Sequence, residues 1–574
     1  MPKTVIIGSG AGGGIAAMVR ARAGDEVVVF EKGPWWRGQH FSDDEIKFGS
    51  RGMINLDPRI HPRTARIAGS DAYRGRILPS SQCVGGGTVH YAAMSFRFRP
   101  EDFAVLDAFG AVPGGNVQNW PFTYDDIEPY YSRVEYLIGV QGLDAGKKIT
   151  YRKRSGGLFA DLELEANPGL PSRSLPYPMP PGSGKIDNLL FASAAKSIGL
   201  HPYPCPLAIN SVIYGSEIRG PRDPATGEYP VVDRRPQRRA CEECGMCSGY
   251  GCPIDAKNST LVTAIEAIEK LPNFRLVDQA MVSEIVWEKV GATVRATGVR
   301  YQKLGQEPAV EPLAPGDRLI VAGDAIETPR LFFLSGLDAF DQSGQLGRNL
   351  MTHHIPATIG FFPELVSNHR GVYTTHVIDD LYVMPGGLKG GTVAAVGPSA
   401  GDPLGLGGLI ALAQTLPWGE AHIPALQASF GRQILLAMIA DDVPQSGNRV
   451  TLDTATHDVY GVPVSRIEYT PHPRDLAVLA AAVPIMTSIL EYAGAAITAA
   501  ATATPPIYPS QFQHRMGTMR MGTSPDASVV DADGRYWSAE NLYVMDGSVM
   551  VSAGGYNPTE TIQAVAWMLA ERLG

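Results

Sequence analysis

The stretch "TVIIGSGAGGGIAA", residues 4–17, reads as a strand, a tight turn and the start of a helix. Residues 5–7 form a continuous apolar run, which is typical of a parallel strand buried on both faces. Gly8, Gly10 and Gly13 then follow in the pattern G-x-G-x-x-G. The first glycine permits the turn, the second lets a pyrophosphate approach the backbone, and the third lets helix and strand pack closely. The stretch predicts a dinucleotide site at a helix N-terminus.

The residues that follow supply the context that this motif needs. A second apolar strand, "EVVVF", occupies residues 26–30, and Glu31 comes directly after it, 18 residues beyond Gly13. An acid at this distance is expected to meet the ribose hydroxyls of the nucleotide. The alternative, a glycine-rich turn without function, does not account for both strands, the helix and the acid. The motif alone does not separate NAD from FAD.

Length and composition narrow the class of protein. A single hydrophobic core stops growing at roughly 250–300 residues, so a chain of 574 residues predicts two domains or one elaborated domain. Apolar residues make up 44% and charged residues 19%, as in a globular protein. With 49 basic and 58 acidic residues the net charge is −9, which argues against a nucleic-acid partner.

The sequence also bears on location. A strand-like run starts at once, without a basic segment or cleavage site before it, so no secretory signal is expected. The best candidate for a transmembrane helix, residues 476–490, is short and contains Pro484, so no integral membrane segment is expected. We expect a cytoplasmic protein. Export by an unusual route or with a signal-bearing partner subunit stays open.

The C-terminal region contains a second candidate site. After the strand-like "NLYVM", Asn557 fits a helix N-cap, Pro558 the first helical turn and Glu560 a capping box. A helix N-terminus is partially positive, and it would stabilise an anionic reduced flavin at which it points. His514, in "QHRMGTMRMG", stands 43 residues before Asn557. We interpret the two as a catalytic pair. The alternatives are a helix cap and a hydrogen-bonded core histidine.

Eight segments, spread over nearly the whole chain and in order, identify a family. They are "VIIGSGAGG", "CVGGGTVHYAAMSFRF", "WPFTYDDIEPYYSRVEYLIGV", "VAGDAIETPRLFFLSG", "GRNLMTHH", "NRVTLD", "HRMGTMRMG" and "NLYVMDGSVMVSAGGYNPTETIQAVA". With these segments the chain resembles the glucose–methanol–choline (GMC) flavoprotein oxidoreductases. The resemblance implies bound FAD and oxidation of an alcohol to a carbonyl. It further implies that His514 takes the hydroxyl proton while hydride passes to flavin N5, and that Asn557 bonds the same oxygen.

The resemblance also implies contacts to FAD beyond the glycine loop. Asp546 corresponds to an acid near the pyrophosphate and ribityl chain, Val282 to a backbone contact with adenine, and Pro558 and Thr559 to the flavin pyrimidine edge. The loop "VGGGTVHY" suits a close approach to the flavin. The complete set of expected cofactor residues is Gly8, Gly10, Gly13, Glu31, Gly86, Thr88, His90, Val282, Asp546, Pro558 and Thr559.

Two stretches leave alternatives open. His90 stands where the pyranose-oxidase branch attaches FAD covalently, but the match is partial, and noncovalent FAD is expected. Cys241, Cys244, Cys247 and Cys252 are spaced C-x2-C-x2-C-x4-C, one residue off the ferredoxin register. An Fe–S cluster or zinc is therefore the alternative, and no metal is expected.

The expected architecture is α/β: a discontinuous Rossmann-like FAD domain and a substrate domain with a mainly antiparallel sheet. The FAD domain is assigned to residues 1–33, 75–100, 205–345 and 515–574, an insertion or lid to 101–204, and the substrate domain to 346–514. Residues 34–74 and 401–409 read as loops, and the Ala-rich stretch to Thr504 as a helix.

The sequence predicts the substrate less closely than it predicts the fold. A sugar or glycoside is favoured by a resemblance to the gluconate-dehydrogenase and pyranose-oxidase branch. Oxygen or another acceptor would take the electrons. The alternatives are a sterol or other bulky apolar or aryl alcohol, and an electron-transfer subunit of a dehydrogenase complex. A non-enzymatic dinucleotide-binding module is also an alternative, but the pair of His514 and Asn557 argues against it.

Overall fold

The computed structural model describes residues 1–41, 62–68, 81–153, 159–397, 418–501 and 514–574. One half of it is built on a five-stranded parallel sheet with the N-terminal strand at the centre. Val5 and Ile6 of that strand are fully buried, as expected for a parallel sheet covered on both faces. In spatial order the strands are Leu542–Val544, Arg318–Val321, Lys3–Ile7, Glu26–Phe30 and Phe274–Val277.

Three helices pack beside this sheet: Ala11–Ala23, Asp324–Leu334 and Thr559–Arg572. The first and the last also contact each other through Arg20, which is almost fully buried. Its guanidinium pairs with Asp25 and donates to the carbonyls of Ala570 and Gly574. The two ends of the chain therefore belong to one structural unit.

The second half is organised by a six-stranded sheet whose neighbouring strands all run antiparallel. Helices Pro473–Tyr492 and Ile186–Ser197 cover it. Alternate residues of its strands face a buried apolar core shared with those helices, which is the period-two pattern of a strand. The strands, in spatial order, are Ile497–Ala501, Ala357–Phe361, Gln433–Ala440, Gly391–Val396, His376–Ile378 and Tyr203–Pro204. The predicted fold class is confirmed, whereas the domain boundaries stay predictions.

Smaller elements complete the described part of the chain. Two three-stranded sheets contain Ala280–Val290, Thr293–Lys303 and Ala309–Pro312, and Arg449–His457, Pro463–Tyr469 and Thr64–Ile67. Two-stranded ribbons pair Lys148–Tyr151 with Leu162–Glu165, Glu217–Arg219 with Val231–Arg234, and Val383–Met384 with Leu388–Lys389. Further helices span Pro100–Phe103, Val105–Phe109, Tyr124–Ile138 and His422–Ser429.

Two local predictions were wrong. Within the expected loop 34–74, Thr64–Ile67 forms a strand that pairs in parallel with Pro463–Tyr469. The Ala-rich stretch was expected to be helical to its end, but Ile497–Ala501 is an edge strand of the six-stranded sheet. There the sheet supplies backbone partners that outweigh alanine's helix propensity. The expected loop 401–409, like residues 69–74, lies outside the described residues.

The helix Pro473–Tyr492 is long and apolar enough to cross a bilayer by length and composition. One side of it, including Val478, Met486 and Ile489, is buried against the six-stranded sheet. Such a helix is also typical of a sheet-covering core element, so the observation is weak evidence for a membrane span.

Candidate active site

The glycine loop forms an open cradle at the N-terminus of helix Ala11–Ala23. Gly8 has φ +95°, and a Cβ on it would lie 2.3 Å from the Ala322 carbonyl oxygen. A Cβ on Gly13 would lie 2.0 Å from the Gly8 oxygen, so this glycine is required for packing. A Cβ on Gly10, by contrast, would meet only the Gly86 Cα, at 3.8 Å. Among the residues that the structure describes, no side chain caps the helix, so its first N–H groups are available to an anion.

Glu31 lies beside this cradle and helps to hold it. Its Oε2 accepts hydrogen bonds from the Ser9 backbone N–H and from the Ser9 hydroxyl, and its Oε1 accepts one from Gly33. Burial raises the pKa of Glu31. The hydrogen bonds from Gly33 and Ser9 lower it, but burial has the larger effect. Val282 lies two residues into strand Ala280–Val290, which starts with a bond from the Ala280 N–H to the Glu31 carbonyl. The structure thus places Glu31 and Val282 at the same end of the cradle.

The second glycine loop faces the first. Gly86 adopts φ +53°, and a Cβ on it would lie 2.8 Å from the Gly10 Cα. Thr88 is buried, donates to the Gly85 carbonyl at 2.6 Å and accepts from the Thr260 backbone N–H, so its hydroxyl holds the loop in place. The Nε2 of His90 contacts the Ser81 hydroxyl, and its Nδ1 is buried without a hydrogen-bond partner in the described chain.

Asp546 stands directly beneath the cradle, where a Cβ on Gly12 would be 3.3 Å from its Cα. Its side chain is fully engaged. Oδ1 accepts from the N–H and hydroxyl of Ser548, and Oδ2 accepts from the Thr328 hydroxyl at 2.6 Å and the Asp324 N–H at 3.0 Å. Asp546 therefore links its own turn to the start of helix Asp324–Leu334.

The predicted capping box at the C-terminal helix is wrong. The helix begins at Thr559, Pro558 is the cap residue, and no side chain caps it. Glu560 is fully buried, and burial followed by the nearby Glu135 carboxylate raises its pKa well above the usual range. The Glu560 side chain is packed in the core, so Asn557 does not form a capping box with it and can bond another partner.

That partner is His514. The Nδ2 of Asn557 donates to the Nε2 of His514 at 3.1 Å, and the Asn557 Oδ1 is buried without a partner in the described residues. His514 has φ +59°, a left-handed conformation that is uncommon for a non-glycine residue and is often found at functional sites. The structure thus brings together the two residues that the sequence singled out.

Sequence reasoning missed a third residue, His353. Its Nδ1 lies 2.9 Å from the Nδ1 of His514, and its ring is almost fully buried. The two segments are joined by a two-bond bridge between Met351 and Met516. His353 lies in "GRNLMTHH", one of the family segments, but nothing in that segment pointed to His514, which is 161 residues away.

Burial, and then the Arg515 charge, lowers the pKa of His514 to about 4. A histidine with a lowered pKa keeps its unprotonated, basic form to lower pH than a free histidine, whose pKa is near 6.5. We therefore expect the acidic limb of kcat/KM, which reports the free enzyme, to lie well below pH 6.5. A limb at pH 6.5 or above, measured with buffer and salt held constant, would contradict this environment for His514.

The neighbouring His354 contacts two aspartates and not His514. Its Nε2 lies 3.5 Å from Asp442 and 3.6 Å from Asp475, and these are the only three metal-type donors gathered together in the described residues. Burial lowers the pKa of His354, but the two carboxylates outweigh it and raise the pKa to about 10. A protonated His354 pairs with both carboxylates, so this cluster is accounted for as an ion-pair triad.

The four clustered cysteines are free thiols of mixed exposure, from buried Cys247 to exposed Cys244. Their loop lies over the second glycine loop, because the Gly249 N–H donates to the His90 carbonyl at 2.7 Å. The prediction that they hold no metal is tested by elemental analysis of anaerobically purified protein. We expect no stoichiometric iron. About three or four irons per chain would show that the one-residue departure from the ferredoxin register does not prevent a cluster.

The fold and the cradle are those of a dinucleotide-binding protein, and comparison with known proteins specifies the family. The family model described as "GMC oxidoreductase" matches in two parts, over residues 227–355 and 444–566. The chain is 29% identical to 6'''-hydroxyparomomycin C oxidase of Streptomyces lividus over 98% of its own length and 89% of that protein. It is 27% identical to the gluconate 2-dehydrogenase flavoprotein of Pantoea cypripedii over 99% and 93%.

Among solved structures, pyridoxine 4-oxidase from Mesorbium loti shares the fold with a TM-score of 0.61. At 17% identity it covers 100% of this chain and 99% of that one. The chain belongs to the GMC oxidoreductases and is an FAD-dependent enzyme that oxidises CH–OH groups. The residues present fit FAD, since the uncapped helix and the space at Gly10 suit its pyrophosphate.

The attachment of FAD is tested by acid precipitation. Because His90 stands in "TVHY" and matches the covalent pattern only in part, we expect FAD to be released into the supernatant. The variant His90→Ala should release the same fraction. A pellet that stays yellow in wild type and turns colourless in His90→Ala would instead show a bond at His90.

Proposed function

We propose that the protein oxidises a primary or secondary alcohol group of a sugar or glycoside, with His514 as the base and Asn557 as a donor to the substrate oxygen. One observation carries the two roles: the Nε2 of His514 and the Nδ2 of Asn557 face each other at 3.1 Å. A hydroxyl oxygen placed between them would give its proton to one nitrogen and accept a hydrogen bond from the other.

The chemistry explains why both residues are needed. FAD, when bound, supplies the hydride acceptor. An alcohol hydroxyl has a pKa far above 7, so loss of hydride from its carbon is slow until the proton is taken or shared. His514, held neutral by burial, takes that proton at Nε2. The amide of Asn557 donates to the negative charge that develops on the same oxygen. Asn557 donates directly to His514, and a substrate hydroxyl would replace this contact.

We also propose how the cofactor residues are used. Gly8, Gly10 and Gly13 would hold the pyrophosphate on the helix N-terminus, Glu31 would bond ribose, and Val282 would lie at the adenine. The second loop would approach the flavin through Gly86 and His90. Thr88 holds the second loop through its bond to the Gly85 carbonyl, and the Asp546 backbone lies against Gly12, beside the first loop. Pro558 and Thr559, at the start of the C-terminal helix, would lie at the flavin pyrimidine edge.

The substrate class is supported by what the relatives are named for. The names of 6'''-hydroxyparomomycin C oxidase and the gluconate 2-dehydrogenase flavoprotein refer to a glycoside and a sugar acid. Oxygen or another small acceptor would complete the cycle. The proposal includes a cytoplasmic location. The net charge of −9 supports the absence of a nucleic-acid partner. The packing of helix Pro473–Tyr492 on the six-stranded sheet supports the absence of an integral membrane segment.

An anaerobic screen tests the proposal. Purified yellow protein is mixed without oxygen with sugars, aminoglycosides, sterols and aryl alcohols, and flavin bleaching near 450 nm is followed. We expect bleaching with sugars or glycosides. Bleaching by sterols or aryl alcohols alone would overturn the substrate class while leaving the reaction class intact. Adding oxygen or an artificial acceptor to the reduced protein then distinguishes an oxidase from a dehydrogenase.

A further inference from the structure

His353 has its Nε2 against two backbone carbonyls and its Nδ1 against His514. The Nε2 lies 3.1 Å from the Ala553 oxygen and 3.0 Å from the Gly554 oxygen. A carbonyl oxygen only accepts, so this nitrogen must carry a proton. Burial, and then the neighbouring His514, lowers the pKa of His353 well below its usual range. The ring is therefore neutral, and its Nδ1 carries a lone pair.

This assignment propagates to His514. The two Nδ1 atoms lie 2.9 Å apart, and a hydrogen bond between them requires one proton. Because the Nδ1 of His353 is the acceptor, the Nδ1 of His514 must be the donor. A neutral His514 that is protonated at Nδ1 has a bare Nε2, and this is the atom to which Asn557 donates. The position of one imidazole proton is thus set by the hydrogen bond at the other ring nitrogen.

We propose that His353 is a positioning residue that holds His514 in the tautomer whose Nε2 is free to accept the substrate proton. The proposal rests on the proposed role of His514 as the base. After proton transfer the His514 ring would be an imidazolium, with its Nδ1–H still bonded to His353. Segment 553–557 acts on both sides of this ring, because it carries Asn557 and also supplies the two carbonyls that orient His353.

The test compares two substitutions at His353. In His353→Asn the Oδ1 can occupy the place of Nδ1 and accept from His514, whereas in His353→Leu no acceptor remains. We expect His353→Leu to slow anaerobic flavin reduction, normalised to bound FAD, by ~10²–10⁴-fold, the range in which a misplaced tautomer affects catalysis. We expect His353→Asn to stay within about tenfold of wild type. Equal losses in both variants would overturn the proposal.

A spectroscopic measurement separates positioning from packing. Long-range ¹H–¹⁵N spectra of protein labelled in histidine, with the His514 signal assigned from His514→Gln, report which nitrogen carries the proton. We expect Nδ1–H in wild type and in His353→Asn, and loss of this preference in His353→Leu. A wild-type His514 protonated at Nε2 would overturn the proposal even if His353→Leu does not fold. If His514→Ala leaves flavin reduction unchanged while the Nδ1–H tautomer is seen, the base assignment fails and the positioning contact stands.

Discussion

Replacing His514 by alanine is expected to slow anaerobic flavin reduction by ~10²–10⁴-fold, the usual contribution of a general base. This corresponds to roughly 3–5 kcal/mol of activation free energy. Bound FAD should change little, because the contacts of His514 are to Asn557 and His353 and not to the glycine loops. Rapid mixing with substrate in the absence of oxygen measures the rate, which is normalised to the flavin absorbance.

The control for this experiment is His201→Ala, since His201 is exposed and its side-chain partner among the described residues is Asp380. It should reduce its flavin at the wild-type rate. If His514→Ala stays within about threefold of wild type, His514 is not the base. If instead the variant loses FAD and thermal stability while the rate per bound flavin holds, His514 serves packing.

Alanine at Gly10 and at Gly13 should produce two different defects within the same motif. At Gly10 the added methyl has room in the protein, so the chain should fold, but the methyl would occupy the space through which a pyrophosphate approaches. Loss of one hydrogen bond to a charged group costs about 1.5–3 kcal/mol, which weakens FAD binding by roughly 10–150-fold. At Gly13 the methyl would clash with the backbone oxygen of Gly8, so folding itself should fail.

Titration of the apoprotein with FAD, followed by quenching of flavin fluorescence, measures the first effect, and yield of soluble protein measures the second. Gly447→Ala is the matched control, because an added Cβ there meets no atom of the described chain within 4 Å. It should fold and bind FAD as wild type does. Gly10→Ala with wild-type FAD affinity would contradict the pyrophosphate assignment. A well-folded, yellow Gly13→Ala would contradict the packing role.

The sequence predicted those parts of the site that local patterns determine. Gly8 and Gly13 lie against the protein atoms that their spacing implied, and His514 meets Asn557 across 43 residues of chain. The glycine contacts and the contact between His514 and Asn557 both follow from sequence motifs in which each residue has a defined neighbour in the fold. The fold class could also be predicted, because the spacing of apolar residues distinguishes strands from helices of this length.

The remaining features depend on contacts that no local pattern records. His353 is placed against His514 by the bridge between Met351 and Met516, and neither segment by itself indicates the other. The prediction of a capping box was wrong because the Glu560 side chain is buried in the core near Glu135. Likewise, the Ala-rich strand Ile497–Ala501 takes its conformation from its neighbour Ala357–Phe361 and not from its own residues.

The order of strands in the parallel sheet has a consequence for biosynthesis. The strand Leu542–Val544 joins the sheet only after nearly the whole chain has left the ribosome, and Arg20 must wait for Ala570, 550 residues later. At about 5–20 residues per second, translation leaves the sheet without its last strand, and Arg20 without Ala570, for roughly half a minute to two minutes. An apolar parallel strand is prone to aggregation in that interval. Slower production at lower temperature, with chaperones available, should therefore raise the yield of folded protein, and truncation before residue 542 should abolish it.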